Sequence, residues 1–221
     1  MSKYLNLEKN PKYINLKEPA QIIQEGGIVI FPTETVYGIG VNGLNETAIK
    51  KLYEVKQRPT NKPISLLVNS IEMIEKVAKD ITEIEYDLIK RFLPGPLTIV
   101  LKKKDIVPDI VPAGFDTIGI RMPENEIALK LIEYAGVPIA TPSANISGRP
   151  SGTNLKEIMK DFNDKVDYFI DGGISKIGVA STIVQVIDGN PCVLRKGEIS
   201  EEQIKEQVLL SKQKNRIIKS K

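Results

Sequence analysis

Residues 27–38 read GIVIFPTETVYG, an apolar run that leads directly into a loop of small and polar residues. Such a run, bounded by glycine and proline, predicts a buried strand at residues 27–31. The loop that follows offers the hydroxyls of Thr33 and Thr35 and the carboxylate of Glu34. Because α/β proteins bind ligands in loops beyond their strand ends, this segment is a candidate site for a small polar ligand. Taken alone, it is more simply a turn closed by threonine hydroxyls.

Short apolar runs alternate with helical segments along the rest of the chain. The pattern predicts further strands at residues 64–68, 97–102, 117–121, 137–141, 167–170, 182–187 and 192–195. It predicts helices at residues 16–25, 45–58, 71–78, 81–92, 127–134 and from 154 onward, and a last helix capped by Ser200. This order implies an α/β fold whose open, twisted sheet carries helices on its faces. The hairpin-like pair of strands that ends at Val186 and Arg195 predicts mixed strand directions.

Composition places the chain among globular proteins. Its 221 residues are 41% hydrophobic and 27% charged, which suits one domain with a sizeable core, and we place that domain at residues 1–210. No apolar stretch approaches the roughly 20 residues that a membrane-spanning helix needs. The N-terminal segment lacks the pattern of a secretory leader, so the sequence predicts a cytoplasmic protein with no membrane contact.

The basic charge of the chain is concentrated at its C-terminal end. Net charge is +3, yet the last eleven residues contain five lysines and arginines and no acid. The rest of the chain then carries 26 basic against 28 acidic residues, so the folded part shows no nucleic-acid footprint. We predict a flexible basic tail at residues 211–221, with tRNA as its candidate contact.

Two residue types are scarce, and their scarcity excludes whole classes of chemistry. The sequence has no histidine and a single cysteine, Cys192. Ser-His-Asp and Cys-His catalysis are therefore excluded, and so are zinc sites rich in histidine or thiolate. Any metal would be a hard ion held by oxygen atoms or by substrate phosphates. Cys192 lies in a strand-like setting, which predicts a small core residue.

Two further loops carry residues suited to binding anions. Residues 56–63 read KQRPTNKP and place three cations at a helix C-terminus, where they either bind an anion or simply complement the helix dipole. Residues 141–153 read TPSANISGRPSGT, whose hydroxyls and backbone N–H groups suit phosphate oxygens. This second loop lacks the lysine and the spacing of a Walker loop, and a plain surface loop is its alternative interpretation.

Arginines and hydroxyls also stand at predicted strand ends. Arg121 and Arg195 each close a strand, where a planar guanidinium suits a carboxylate or a phosphate, although each could equally be a surface charge. Ser181 and Thr182 open another strand, and a turn explains them as well as a ligand does.

The order of these segments is more informative than any one of them. Over residues 15–210 the chain contains, in this order, PTETVYG, KxRPxxKP, TIGIR, PSANxSGxPSGT, DGG, ST and RxG. The series resembles the YrdC-like family of L-threonylcarbamoyladenylate synthases over nearly the whole chain. The most specific part of the resemblance pairs KxR with SxN, that is, Lys56 and Arg58 with Ser143 and Asn145.

The resemblance implies a YrdC-like fold and an ATP-dependent nucleotidyltransferase. It implies that L-threonine, bicarbonate and ATP are condensed into threonylcarbamoyladenylate and pyrophosphate, with Mg²⁺ accompanying ATP and no metal held by the protein. The product would supply the threonylcarbamoyladenosine modification of tRNA through a downstream threonylcarbamoyl transferase machinery. Such chemistry tolerates the lack of histidine, because the amine of threonine and the carbamate oxygen are the nucleophiles.

The resemblance also implies roles for single residues. Lys56 and Arg58 would form the catalytic motif. The threonine-binding residues would be Thr35, Arg121, Thr141 and Ser181. The ATP-binding residues would be Arg58, Lys62, Thr117, Ser143, Asn145, Ser151 and Arg195.

Two positions depart from the pattern of the family. Leu67 stands where many members have a histidine on the threonine side, which weakens the expectation of threonine specificity. Lys62 stands where many members have asparagine, a change that keeps a polar group available to phosphate. Longer members carry an extra C-terminal domain.

Three alternatives remain open. The carbamoyl-adenylate-forming domains of hydrogenase maturation proteins share such motifs, but they sit in much longer chains with zinc-binding modules. A non-catalytic RNA-binding protein would use the groove and the basic tail, although aromatic residues make up only 5% of the chain. A YrdC-like paralogue that hydrolyses nucleotides without using threonine is consistent with Leu67.

Overall fold

The computed structural model describes residues 2–9 and 11–219, with side chains up to residue 214. The strands are β1 (Lys3–Asn6), β2 (Val29–Phe31), β3 (Gly38–Asn42), β4 (Leu66–Leu67), β5 (Ala78–Lys79), β6 (Leu97–Lys103), β7 (Thr117–Arg121), β8 (Ile139–Ala140), β9 (Tyr168–Asp171), β10 (Thr182–Ile187) and β11 (Asn190–Arg195). The helices are α1 (Lys17–Gln24), α2 (Glu46–Lys56), α3 (Ile71–Val77), α4 (Glu83–Phe92), α5 (Glu126–Ala135), α6 (Leu155–Phe162) and α7 (Glu201–Lys219), with a 3-10 turn at Tyr13–Leu16.

The strands form one mixed sheet in the order β1-β9-β2-β3-β8-β4-β7-β6-β10-β11, with β5 added beside β6. The sheet contains parallel pairs, such as β4 with β7 and β6 with β10, and antiparallel pairs, such as β3 with β8 and β6 with β7. The last two strands form an antiparallel hairpin. The predicted α/β fold with a mixed sheet flanked by helices is therefore confirmed.

Short polar side chains begin most of the helices. Asn45 accepts a hydrogen bond from the backbone N–H of Ala48 at the start of α2, and Asn154 does the same for the start of α6. Thr82 and Glu85 form the reciprocal capping box predicted for α4. These side chains satisfy backbone donors that the first helical turn leaves free, which is why the sequence marks the helix starts.

One strand, β3, escaped the sequence analysis because glycine weakens the strand pattern. The reason for glycine there is packing: a Cβ on Gly40 would lie 2.6 Å from Cγ2 of Ile139 and 2.8 Å from Cε1 of Phe31. A Cβ on Gly38 would lie 2.5 Å from Cγ2 of Thr141. The backbone of β3 thus lies in close contact with β2 and β8, next to the loop that begins at Thr141. The two-residue strand β5 and the N-terminal strand β1 were also missed.

Two expectations about the C-terminal third need correction. Cys192 is exposed, because it lies on β11 at the end of the sheet order and does not point into the core. The predicted tail begins too early: α7 continues to Lys219, Ser211 is buried, and the Nζ of Lys212 donates to Oδ1 of Asn190 at 2.9 Å. Residues 220 and 221 lie outside the described residues, so the flexibility of the last positions stays a prediction.

Within residues 2–9 and 11–219, no helix combines the length and the apolar character needed to cross a bilayer.

The variant Gly40→Ala is expected to lower the free energy of unfolding by about 1–3 kcal/mol, because overpacking a dense core displaces its neighbours. Urea denaturation followed by circular dichroism measures this difference. A variant as stable as the wild-type protein would mean that β2, β3 and β8 can separate without cost, contrary to the packing described above.

Candidate functional site

A cavity of about 180 Å³ opens where several loops and strand ends meet. All four residues predicted to bind threonine line it: Thr35, Arg121, Thr141 and Ser181. Three residues predicted to bind ATP also line it: Arg58, Ser143 and Arg195. Residues that are 160 positions apart in sequence therefore share one wall, as the ordered motifs predict.

Three guanidiniums face this cavity. Arg58 is held by the carbonyl oxygens of Lys62 and Pro63, at 3.1 and 2.6 Å. Arg195 donates from Nε and Nη2 to the carbonyl oxygen of Ser181, at 3.0 and 2.8 Å. Burial lowers the pKa of Arg195, and the positive charges of Arg121 and Arg58 lower it further. Guanidiniums keep their charge even so, and the described lining contains neither aspartate nor glutamate, so the cavity is strongly cationic.

Hydroxyl groups complete the polar lining. Ser181 Oγ lies 2.8 Å from Oγ1 of Thr98, a residue on β6 that the sequence analysis missed. Thr98 is buried in the apolar first part of β6, residues 97–101, and a hydroxyl at a core-facing position is the signal that could have identified it. Leu67 also lines the cavity and gives it one apolar wall.

Lys56 lies behind the cavity wall and does not line it. Its side chain is buried, and its Nζ donates to the carbonyl oxygens of Ser143 and Asn145 and to Oδ1 of Asn145. The backbone N–H of Ser147 donates to the carbonyl oxygen of Lys56 at 3.1 Å. Lys56 therefore clamps the loop after β8 onto the end of α2. These contacts give Lys56 a positioning role, and its catalytic role stays a prediction.

Asn145 belongs to the same clamp. Its Oδ1 accepts from Ser143 Oγ at 2.6 Å, while its Nδ2 donates to the carbonyl oxygens of Ile146 and Arg149. The two sequence motifs thus divide their work in the same way: Lys56 and Asn145 hold the loop from inside, whereas Arg58 and Ser143 face the cavity.

The backbone turns sharply between Lys56 and Arg58. Gln57, which ends α2, adopts a left-handed conformation with φ of 52°. The chain therefore reverses direction within one residue of Lys56, which is how Lys56 can point inward while Arg58 points to the cavity.

Four residues predicted to bind ATP lie outside the cavity lining: Asn145, described above, and Lys62, Thr117 and Ser151. Lys62 is exposed, and its carbonyl group is the part that contributes to the site. Thr117 lines a neighbouring, largely apolar groove of about 310 Å³, which shares Pro63 with the cavity. Ser151 is half-buried in the loop before α6.

Two loops around the cavity are tied together by a buried tyrosine. Tyr37 has no exposed surface, and its hydroxyl donates to the carbonyl oxygen of Gly173 at 2.7 Å and accepts from the N–H of Gly172 at 3.1 Å. Backbone hydrogen bonds from the N–H of Ile177 to the carbonyl oxygen of Glu34 and from the N–H of Gly178 to that of Thr35 reinforce the connection. Burial raises the pKa of Tyr37, so the phenol stays neutral and keeps donating.

A cationic, hydroxyl-rich cavity at the loops and strand ends of a mixed α/β sheet defines the class: an α/β protein whose cavity is suited to small anionic ligands. Residues 21–197 match the family model Sua5_yciO_yrdC, described as "Telomere recombination". The chain belongs to the Sua5/YciO/YrdC family.

Named relatives cover most of this chain. The threonylcarbamoyl-AMP synthase of Pyrococcus abyssi is 45% identical over 92% of this chain and 60% of its own length. A putative threonylcarbamoyl-AMP synthase of Methanocaldococcus jannaschii is 44% identical over 88% of this chain and 90% of its own length. The crystal structure of P. abyssi Sua5 complexed with L-threonine superposes with a TM-score of 0.91, at 44% identity over 93% of this chain and 61% of that one. This chain thus spans about 60% of the P. abyssi protein.

We expect Lys56→Met to lower the free energy of unfolding by about 1–3 kcal/mol, because it removes a donor from three oxygen acceptors and takes from the carbonyl oxygen of Asn145 its one donor among the described contacts. Thermal unfolding followed by circular dichroism measures the loss. Lys50→Met is the control: Lys50 is exposed on the same helix, and surface substitutions change stability by about 0.5 kcal/mol or less. Equal effects of the two variants would contradict the clamp.

The stability of the protein should also depend on pH through Lys56. Burial, and to a smaller extent the charge of Arg58, lowers the pKa of Lys56 from 10.5 to about 7. Between these values the unfolded chain binds a proton that the folded protein does not, so stability rises with pH, by up to about 1.4 kcal/mol per pH unit.

Urea denaturation at pH 6.5 and at pH 9 tests this linkage, with the Lys56→Met variant as the reference. The stability difference between the wild-type protein and the variant should be larger at pH 9 than at pH 6.5. A difference that is independent of pH would show that the pKa of Lys56 is not lowered in the folded protein.

Proposed function

We propose that this protein catalyses the ATP-dependent synthesis of L-threonylcarbamoyl-AMP from L-threonine, bicarbonate and ATP, with release of pyrophosphate. The observation that carries the proposal is the convergence of Arg58, Arg121 and Arg195 on one cavity that has no described carboxylate in its lining. The reaction brings a carboxylate, a carbamate and a triphosphate together, and fixed cations offset the repulsion among them. The name and the bound threonine of the P. abyssi relative support the same activity.

The threonine end of the cavity is assigned to the side of Arg121. A guanidinium suits the α-carboxylate of an amino acid, and Thr35, Thr141 and Ser181 supply hydroxyls for its polar groups. Leu67 offers an apolar surface to the methyl group of the side chain. The replacement of the usual histidine by Leu67 is compatible with threonine in this arrangement, because the contact it provides is apolar.

The nucleotide end is assigned to Arg58 and Arg195, with Ser143 as a hydroxyl donor to phosphate. The apolar groove that contains Thr117 adjoins this end, and its largely apolar lining would suit a nucleobase. Mg²⁺ would enter with ATP and neutralise phosphate charge. Because the described cavity lining offers no carboxylate ligand, the phosphate oxygens would hold the ion.

The chemistry requires two steps. The neutral amine nitrogen of threonine adds to the carbon of bicarbonate and water leaves, which gives a carbamate. A carbamate oxygen then attacks the α-phosphorus of ATP, and the bond to the β-phosphate breaks to release pyrophosphate. The protein contributes position and charge: Arg121 orients the amino acid, while Arg58 and Arg195 stabilise charge that develops on the phosphates.

The role in tRNA modification is part of the same proposal. The adenylate would be passed to a threonylcarbamoyl transferase in the cytoplasm, and the basic end of α7 is the candidate contact with tRNA. The alternatives, RNA binding without catalysis and nucleotide hydrolysis without threonine, are not favoured, because relatives that are 42–45% identical over most of this chain bear the name of the synthase.

The test incubates the purified chain with ATP, magnesium, bicarbonate and single amino acids, and identifies products by mass spectrometry. Pyrophosphate and threonylcarbamoyl-AMP should form only when threonine and bicarbonate are both present. Release of inorganic phosphate without threonine would favour simple nucleotide hydrolysis and contradict the proposal.

Arg58→Ala and Arg195→Ala should each cost about 2–4 kcal/mol of transition-state stabilisation, because each removes a charge from the phosphate end of the cavity. The ratio kcat/KM for ATP measures this loss. Arg91→Ala, on the exposed surface of α4, is the control and should retain wild-type kinetics. Wild-type turnover in both cavity variants would remove these arginines from the site.

A further inference from the structure

A buried carboxylate lies against one of the three cavity arginines. Oε1 of Glu34 is 2.7 Å from Nη2 of Arg121, and both side chains are more than nine-tenths buried. The Nε of Arg121 donates to the carbonyl oxygen of Gly95 at 3.2 Å. Two edges of the guanidinium are therefore held in place from behind, while Arg121 still lines the cavity.

The pair is arranged poorly for stability. Within the described residues, neither of the two carboxylate oxygens of Glu34 makes a well-directed hydrogen bond. The same is true of Nη2 of Arg121. A buried ion pair repays the cost of removing its charges from water only when its remaining hydrogen bonds are satisfied. The stability of the fold therefore does not explain why a carboxylate lies at this position. The effect of Glu34 on Arg121 is the better explanation.

Arg121 differs in this respect from the other two cavity arginines. Arg58 is held by the carbonyl oxygens of Lys62 and Pro63, and Arg195 is held by Ser181. No carboxylate of the described residues lies within ion-pair distance of Arg58 or Arg195. The cavity thus contains two uncompensated guanidiniums and one that is already paired with a negative charge.

We propose that Glu34 is a positioning and specificity-determining residue: it fixes Arg121 and compensates its charge, so that Arg121 receives the amino-acid carboxylate and is kept from the phosphates. The inference rests on the proposed function and deepens it. A carboxylate carries one negative charge and gains enough binding free energy from paired hydrogen bonds to one guanidinium whose charge is partly compensated. A polyphosphate is attracted instead to the uncompensated charges of Arg58 and Arg195.

Loss of the negative charge should therefore move the two affinities in opposite directions. Without Glu34, Arg121 becomes a third uncompensated cation in a partly buried cavity, which strengthens the attraction for polyanions. Its guanidinium also loses the contact that orients it, which weakens the binding of a carboxylate. A purely structural role of Glu34 would weaken both kinds of ligand together.

The experiment uses isothermal titration of the full chain with L-threonine and, separately, with inorganic pyrophosphate. For Glu34→Gln, we expect the Kd for threonine to rise at least about fivefold and the Kd for pyrophosphate to fall at least about threefold. For Glu34→Asp, which keeps the charge but shortens the contact, the Kd for threonine should rise while that for pyrophosphate stays within about twofold. The aspartate variant keeps the test decisive if the glutamine variant does not fold.

Parallel weakening of both ligands, or no change in either, overturns the inference. Failure of the proposed function looks different: the wild-type protein would then bind no threonine and release no threonine-dependent pyrophosphate. The pyrophosphate titrations would still decide whether Glu34 restrains Arg121, because that comparison does not depend on threonine.

Discussion

The site depends on one buried interaction, the ammonium group of Lys56 with the oxygens of Ser143 and Asn145. These oxygens belong to a loop with little regular structure, and among the described residues Nζ of Lys56 is the donor that reaches all three. Burial lowers the pKa of Lys56, whereas the three acceptors favour its charged form. Keeping a proton on this buried side chain therefore costs electrostatic free energy. The clamp places Ser143 at the cavity wall, and Arg58, two residues beyond Lys56, lies on the same side.

The clamp is one part of a wider interlocking of loops. The N–H of Ala144 donates to the carbonyl oxygen of Tyr37, and the N–H of Ile39 donates to that of Pro142. The hydroxyl of Tyr37 in turn holds Gly173. Three loops that follow different strands are thus fixed to one another, which allows like charges to be held close together. A cavity assembled in this way is organised before any ligand arrives.

Much of the architecture could be predicted because local signals and global packing agree. The cap at Asn45 and the capping box of Thr82 are encoded within four residues, and the strand Thr117–Arg121 has the composition of a strand. Strand β3 could not be predicted, since its glycines are required by contacts with β2 and β8 that only the folded protein brings together. Cys192 was misplaced because the strand pattern does not reveal which strand lies at the sheet edge.

The site residues also divide into features that the sequence predicts and features that it does not. Their membership in one cavity could be predicted from the order of the motifs, for Thr35, Arg121 and Ser181 among others. Their roles could not, because the sequence does not distinguish a lysine that faces a ligand from one that faces backbone carbonyls. Thr98 and the pairing of Glu34 with Arg121 depend on neighbours about 80 to 90 positions away in sequence. Amide hydrogen exchange of the Lys56→Met variant tests the central claim most directly. The account predicts that the amides of Ala144 and Ser147 exchange at least about tenfold faster than in the wild-type protein while those of α4 are unchanged, and equal protection of this loop in both proteins would contradict it.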